Sequence, residues 1–350
     1  MAFASSFQKK SKAQTAVHGA KLSVNGLQTV SSGIASLDHI LDGGLPIGTI
    51  CLLEEGSGSN YSRLFSRLFI AEGVVHGNYI FAATLDGTGG KIVDSLPSSK
   101  KAAEQDADPA SLSADMNDKM KIAWRYENLH AYADQAPTKS STQFDFSQVM
   151  KISDSAREKI HLWQPSMSRA LPIYFDLLAS ISHVVEQCKL STEQAPNNVL
   201  RISLTALGSP FWDEKDCNGS FLPSFVVALR ALLRRSSACV FLTVPTHLIP
   251  SHTLSRLRQT CDAVIRLSGM DAETKKSYPE VHGILTVASV PMANALRRPP
   301  QSEPLTSYGF KFWRKKCTIE KLHLPPDLSD SASRSTSGPA CGGGGSKLDF

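Results

Sequence analysis

A strand, a short turn and an amphipathic helix follow one another near the start of the chain, and this order constrains the fold more than any other feature. The apolar run Thr49 to Leu53 is typical of a buried strand, and a Gly/Ser-rich turn follows it directly. Apolar residues then recur at helical spacing, at Leu64, Phe65, Leu68 and Phe69. A shorter amphipathic helix precedes the strand and ends at Gly43 and Gly44. The order strand, loop, helix is that of a P-loop.

The loop departs from the P-loop pattern G-x-x-x-x-G-K-[ST] at three of its four defining positions. Glu55 replaces the first glycine, Asn60 the second and Tyr61 the lysine, while Ser62 keeps its place. A neutral phenol lacks the charge that a phosphate requires, and Glu54 beside Glu55 is expected to repel a triphosphate at the helix N-terminus. We therefore predict a loop that maintains the fold and does not hydrolyse ATP. This degenerate nucleotide loop comprises Glu55, Gly56, Gly58, Asn60, Tyr61 and Ser62.

Composition limits the class of protein. The 350 residues, 41% hydrophobic and 20% charged, are expected to form one folded domain with appendages. A formal net charge of +5 permits nucleic-acid binding without indicating it. No apolar run is long enough for a membrane span, so no membrane partner is expected. The seven cysteines form no C-x-x-C pair, which favours reduced thiols in a cytoplasmic and nuclear protein.

The rest of the chain alternates between strand and helix patterns. We predict strands at Tyr79 to Thr84, Leu200 to Leu204, Ala238 to Val244, Ala263 to Leu267, Gly283 to Val290 and Phe310 to Leu324, with helices at Tyr174 to Cys188 and Leu222 to Leu233. Strands joined by helices imply an α/β fold, with a mostly parallel twisted sheet flanked by helices and a RecA-like (P-loop NTPase-like) core.

Three segments are expected outside this core. Residues 1–26 form a predicted disordered arm and residues 325–350 a disordered tail, because both are rich in small and polar residues. The arm could also be a transit peptide, although it lacks arginine. Within the domain at 27–324, a polar insertion is expected near 95–150, with loops at 95–119 and 135–148 around a basic, aromatic island at 119–126.

The strand ends carry few groups for phosphate chemistry. An ATPase of this type needs an acidic residue after a core strand, yet Val199 to Leu207 and Ala238 to Val244 end without one. Asp86 follows the strand Tyr79 to Thr84, either as a base or as part of a turn with Gly87. His247 follows another strand, as a ligand contact or as a structural histidine. We expect no catalytic residue, no metal site and no bound cofactor.

Several basic residues are candidates for RNA contacts. Near the C-terminus, cationic side chains interleave with aromatic ones, which suits single-stranded RNA but equally suits an edge strand protected by lysine. Two further basic pairs fall in predicted irregular segments between strands, and these segments would line the opening if the domain forms a ring. The candidate RNA contacts are Lys275, Lys276, Arg297, Arg298, His247, Lys311, Arg314 and Lys315. The run Arg230, Arg234 and Arg235 is either a solvated helix face or a contact for an acidic partner.

Long motifs of the chain resemble the Elongator complex protein 4 family, known also as PAXNEB. The similar segments begin at about Leu27 and read SSGIASLDHILDGGLPIGT, KMKIAWRY, LRISLTALGSPFW, PTHLIPS and LHLPPDLSDSASRS…CGGGGSKLDF. The resemblance implies a RecA-like subunit without a full set of nucleotide-binding residues. It also implies assembly with Elongator subunits 5 and 6, two copies of each, into a hexameric ring. That ring joins the catalytic subunits 1 to 3, binds tRNA and supports carboxymethyl-type modification of the wobble uridine.

Two accounts of function compete. In the first, the chain is a non-catalytic, RNA-binding accessory subunit with no cofactor. In the second, the ring is an ATPase whose ATP and Mg²⁺ sites are completed at subunit interfaces and modulate tRNA binding and release. The missing lysine argues against the second account for this chain's own loop, because a phosphate-directed cation contributes about 3 kcal/mol or more to transition-state stabilisation. A recombinase acting on DNA would need both an intact P-loop and an acidic strand end.

Overall fold

The fold is an α/β arrangement in which a large mixed sheet has helices on both faces. The computed structural model describes residues 16–23, 26–57, 59–85, 89–99, 142–165, 172–212, 221–291, 307–314 and 316–322. The strands are β1 (Lys21–Leu22), β2 (Gln28–Val30), β3 (Leu45–Pro46), β4 (Ile50–Glu55), β5 (Tyr79–Ala83), β6 (Pro97–Ser99), β7 (Phe144–Val149), β8 (Ile160–Trp163), β9 (Leu200–Leu204), β10 (Ala238–Pro245), β11 (Ala263–Ser268), β12 (Gly283–Ser289), β13 (Ser307–Trp313) and β14 (Lys316–Lys321).

Eight α-helices connect or cover these strands in the described residues. They are α1 (Ala35–Ile40), α2 (Ser62–Val75), α3 (Gly89–Asp94), α4 (Asp154–Arg157), α5 (Ile173–Gln187), α6 (Phe221–Leu233), α7 (Ser251–Thr260) and α8 (Ala272–Ser277). None of them is long and apolar enough to span a bilayer.

The main sheet has nine strands in the order β14-β13-β12-β11-β4-β10-β9-β5-β8. The six strands from β11 to β8 run parallel, and β12, β13 and β14 extend the sheet in antiparallel pairs. Strand β4 lies between β11 and β10, with Leu52 opposite both Leu242 and Val264. The loop that follows β4 therefore leaves the carboxyl edge in the interior of the sheet, where open α/β folds place ligands.

Alternate residues of the strands face two separate hydrophobic cores. On one face, Leu52 and its neighbours pack with α5, α6 and α7. On the other face, Leu53 packs with α1 and α2, and the fully buried Phe69 stacks on Phe241 of β10. Because both faces are covered, all eight residues of β10 are buried, as expected for a central strand of a parallel sheet.

The strongly periodic segments adopt the predicted structures. The segment predicted as a helix from Tyr174 to Cys188 is α5, with Leu177 and Ile181 fully buried. The second predicted helix is α6, and the apolar run Ala238 to Val244 lies within β10. The shorter predicted helix before β4 is α1. Spacing of apolar residues at three and four positions is sufficient to identify these helices.

The loops predicted around the polar insertion are partly wrong. Residues 144–148 belong to β7, which pairs antiparallel with β6, and the three residues of β6 are buried. Phe144 lies in the core on the α2 face, so burial of its ring holds this segment on the domain. The segment 119–126 lies outside the described residues, and the domain boundaries remain predictions. At the other end, the single strand predicted at 310–324 is instead the end of β13 and all of β14, which form a hairpin that turns at Arg314.

Candidate functional site

The loop between β4 and α2 holds its own carboxylate at the start of the helix. The backbone N–H of Ser62 donates to Glu55 Oε1 at 3.0 Å, and Ser62 Oγ donates to Glu55 Oε2 at 2.6 Å. The start of the loop is held by two neighbouring segments: Gly56 N donates to the carbonyl of Leu267 in β11 at 2.8 Å, and Thr246 Oγ1, directly after β10, donates to the carbonyl of Glu55 at 3.0 Å. A helix N-terminus attracts anions, and here the anion is a side chain of the same loop.

Tyr61 lies in an aromatic cluster with the antiparallel part of the sheet. Its ring stacks on Phe312 at 5.5 Å between centroids with an interplanar angle of 7°. Phe310 lies edge-on at 5.1 Å, and His282 at 6.0 Å. Aromatic pairs at these centroid distances stabilise a fold by more than the burial of their surface area alone. The residue at the lysine position of the P-loop pattern therefore joins α2 to β13.

Glu54 has a different environment from Glu55. Its side chain is only 1% exposed, and both carboxylate oxygens accept hydrogen bonds from Arg258 of α7, at 2.6 and 2.9 Å. Arg266 of β11 adds a third bond at 3.0 Å. The hydrogen bond with Glu54 raises the pKa of Arg258. Because two guanidinium groups neutralise Glu54, the repulsion predicted for the two glutamates rests on Glu55 alone.

The ends of β9 and β10 carry hydroxyl groups in the described residues. Thr243 Oγ1 accepts a hydrogen bond from the backbone of Ala206 at 2.8 Å, and Thr246 contacts the carbonyl of Glu55. No group of three or more histidine, cysteine or acidic residues in the described part of the chain could hold a metal ion. His247 is exposed in the 3₁₀ turn Thr246–Leu248, and Asp86 lies outside the described residues.

The described candidates for RNA contacts lie in α8, in the turn after β10 and in the hairpin of β13 and β14. Lys311 pairs with Glu320 at 3.1 Å and with Glu280 at 3.7 Å, and its hydrogen bond with Glu320 raises its pKa. The pair Lys275 and Lys276 is not in an irregular segment as predicted, because both residues lie in α8, where they are exposed. Arg314 is exposed at the hairpin turn beside Trp313, whose side chain is 51% exposed. The candidates Arg297, Arg298 and Lys315, and Gly58 of the loop, lie outside the described residues.

One buried cation was not identified from the sequence. Arg201 of β9 is fully buried below α2. Its Nε donates to Asn78 Oδ1 at 2.9 Å, its Nη1 donates to the carbonyl of Ser31 at 2.7 Å, and the guanidinium lies 5.0 Å from the ring centroid of Phe69. Burial lowers the pKa of Arg201. The only signal in the sequence is an arginine inside an apolar strand, and its role is structural because every contact is internal.

Acidic groups surround this arginine. Burial alone would raise the pKa of Glu72, but the hydrogen bond with His76 and the charge of Arg201 hold that pKa below its usual value. Burial raises the pKa of Asp38 despite hydrogen bonds from Ser31 and Ser32. These groups join α1, α2 and β9 beneath the helix that carries the loop.

The comparisons with known proteins agree with one another. The PAXNEB protein family model matches residues 13–350. Proteins named Elongator complex protein 4 are similar over nearly the whole chain. The protein from Xenopus laevis is 35% identical over 395 residues, covering 99% of this chain and 95% of the relative. That from Danio rerio is 36% identical, with 94% and 90% covered, and that from Homo sapiens is 33% identical, with 93% and 87% covered. With a family model that spans nearly every residue and relatives above 30% identity, this chain belongs to the PAXNEB family, the family of Elongator complex protein 4.

Proposed function

We propose that the chain is a non-catalytic accessory subunit of the Elongator complex. It assembles with subunits 5 and 6, two copies of each, into a hexameric RecA-like ring. The ring joins the catalytic subunits 1 to 3, binds tRNA in the cytoplasm and nucleus, and supports carboxymethyl-type modification of the wobble uridine. The proposal starts from the names of the relatives, all Elongator complex protein 4.

The contact between Glu55 and Ser62 supports the non-catalytic role most strongly. A bound phosphate would require the backbone N–H and hydroxyl of Ser62, and both already donate to Glu55. Displacing the carboxylate would leave its negative charge next to the phosphate. Tyr61 offers no cation to offset that repulsion and packs instead on Phe312. The loop therefore stabilises the junction of β4, α2 and β13.

The strand order supports the RecA-like assignment. In RecA-type folds a central parallel strand leads through the loop into a helix that lies on the sheet. Here β4 is flanked by β11 and β10, and α2 packs on β4, β5, β9 and β10. Adjacent subunits of a RecA-type ring bury faces against each other, and a subunit can keep these contacts without hydrolysing ATP.

Reconstitution with subunits 5 and 6 tests this proposal, using wild-type protein and Tyr61→Ala. We expect native mass spectrometry to give two copies of each subunit for both proteins. Removing the half-buried ring should lower the stability of the chain by about 2 kcal/mol. The affinity for tRNA, measured by fluorescence anisotropy, should stay within twofold, because Tyr61 faces Phe310 and Phe312. Failure of the wild-type chain to assemble, or loss of a measured ATP turnover in Tyr61→Ala, would contradict the proposal.

A further inference from the structure

A charged cavity lies at the opposite edge of the sheet from the β4–α2 loop. It has a volume of about 200 Å³ and is formed where β4 and β11 begin and β12 ends. Its lining includes Thr49, Arg230, Arg234, Cys261, Asp262 and Ser289. We refer to it as the arginine cavity. It shares no residue with the loop between Glu55 and Ser62.

Two guanidinium groups in the arginine cavity share one carboxylate. Arg230 Nη2 and Arg234 Nη2 donate to the same oxygen, Asp262 Oδ1, at 2.7 and 3.0 Å. The other oxygen of Asp262 accepts the backbone N–H of Ile50 at 3.0 Å. The cavity therefore carries one positive charge in excess. Each guanidinium has five N–H donors in a planar fork, so donors remain for a second acceptor.

The arginine side chains are accessible, whereas the carboxylate is not. The side chains of Arg230 and Arg234 are 37% and 51% exposed, and that of Asp262 is 9% exposed. Asp262 thus holds the two guanidinium groups from the buried side of the cavity, and their outer edges stay exposed to solvent. Because the two arginine side chains are already held in place, less conformational entropy is lost when they bind a ligand.

An apolar strip on α6 continues from the arginine cavity. Val227 is 56% exposed, and Ala231 is exposed one turn further along the helix. Arg234 lies about two turns from Val227 on the same side of α6, because seven residues span nearly two turns. This exposed aliphatic strip ends at two partly exposed arginines. It therefore matches a protein segment that carries apolar side chains next to an acidic side chain.

We propose that the arginine cavity receives one Asp or Glu side chain of a neighbouring protein subunit, whose apolar side chains pack on Val227 and Ala231. This inference rests on the proposed function, because it names the surface through which the chain contacts another subunit of the complex. One carboxylate balances the excess charge of the cavity and matches the planar fork of an arginine. An RNA backbone brings several negative charges, more than the single excess positive charge of the cavity balances.

Charge reversal in the reconstituted complex with subunits 5 and 6 provides the test. We expect Arg234→Glu to weaken assembly at least about tenfold, measured by analytical ultracentrifugation, since the partner's carboxylate would then meet a like charge. Arg256→Glu on α7 makes the same charge change at an exposed residue that does not line the cavity, and should assemble as the wild type does. Thermal unfolding of each isolated chain separates a folding defect from a binding defect.

Crosslinking identifies the partner independently of stability. With photoreactive p-benzoyl-phenylalanine in place of Val227, illumination of the assembled complex should join this chain to a protein subunit close to an acidic residue. If the wild-type chain does not assemble, the proposed function fails. If it assembles and Arg234→Glu assembles with equal affinity, or if position 227 crosslinks only to tRNA, the inference about the arginine cavity is overturned.

Discussion

Replacing Arg201 with methionine is expected to destabilise the chain by about 3–5 kcal/mol. Methionine fills much of the same volume but leaves Asn78 Oδ1 and the carbonyl of Ser31 without their donor. It also removes the cation that helps to lower the pKa of Glu72. Replacing a whole buried ion network with apolar residues can leave the stability unchanged. Removing one member instead leaves the other buried polar groups without a partner. The loss should appear in urea unfolding as a lower midpoint with an unchanged slope.

Arg235→Met is the matched control for this prediction. Arg235 pairs with Glu193 at 3.2 Å, but the two side chains are 77% and 75% exposed. Such surface pairs contribute little, so the control should change stability by less than about 0.5 kcal/mol. Arg201→Lys separates charge from geometry, because lysine keeps the cation but cannot reproduce both hydrogen bonds. A loss below about 1 kcal/mol in Arg201→Met would contradict the structural role assigned to this arginine.

Glu54→Ala is expected to cost about 2–3 kcal/mol. The substitution removes the carboxylate that accepts three hydrogen bonds from Arg258 and Arg266 and joins the end of β4 to α7 and β11. The loss of stability is smaller than for a fully buried pair. The two arginine side chains are 34% and 39% exposed, so water can hydrate them once the carboxylate is gone. Thermal unfolding and amide exchange at β11 would measure it.

Glu320→Ala is the control for Glu54. Glu320 also pairs with a cation, Lys311, but its side chain is 57% exposed. We expect a change of less than about 0.5 kcal/mol in this variant. If the two substitutions lowered the stability equally, the burial of Glu54 would not be the reason for its contribution to stability.

The spacing of apolar residues identifies those helices and strands whose buried face can be recognised within the segment itself. The segments of α2, α5, α6 and β10 carry apolar residues at the spacing of a covered helix or a doubly covered strand. Strand β7 was missed because only Phe144 and Phe146 distinguish FDFSQV from its polar surroundings. Its partner β6 precedes it by more than 40 residues, and such distant pairing leaves no periodic signal nearby.

The same distinction applies to the candidate site. A template comparison was sufficient to find the replacements at Glu55 and Tyr61, because the spacing between strand and helix is local. The partners of these residues come from elsewhere in the chain: Phe310 and Phe312 follow Tyr61 by about 250 residues. Arg258 and Arg266 likewise reach Glu54 from distant elements. The sequence therefore indicated which groups the loop lacks, while the structure was needed to identify the contacts that replace them.

Amide hydrogen exchange at residues 59–66, with and without Mg·ATP, tests most directly whether Glu55 occupies the anion position of α2. Ser62 N donates a hydrogen bond to Glu55 Oε1 at 3.0 Å. The account predicts that exchange at these amides is unchanged by millimolar Mg·ATP, in the isolated chain and in the complex with subunits 5 and 6. Saturable protection of these amides by Mg·ATP that disappears in Ser62→Ala would contradict it.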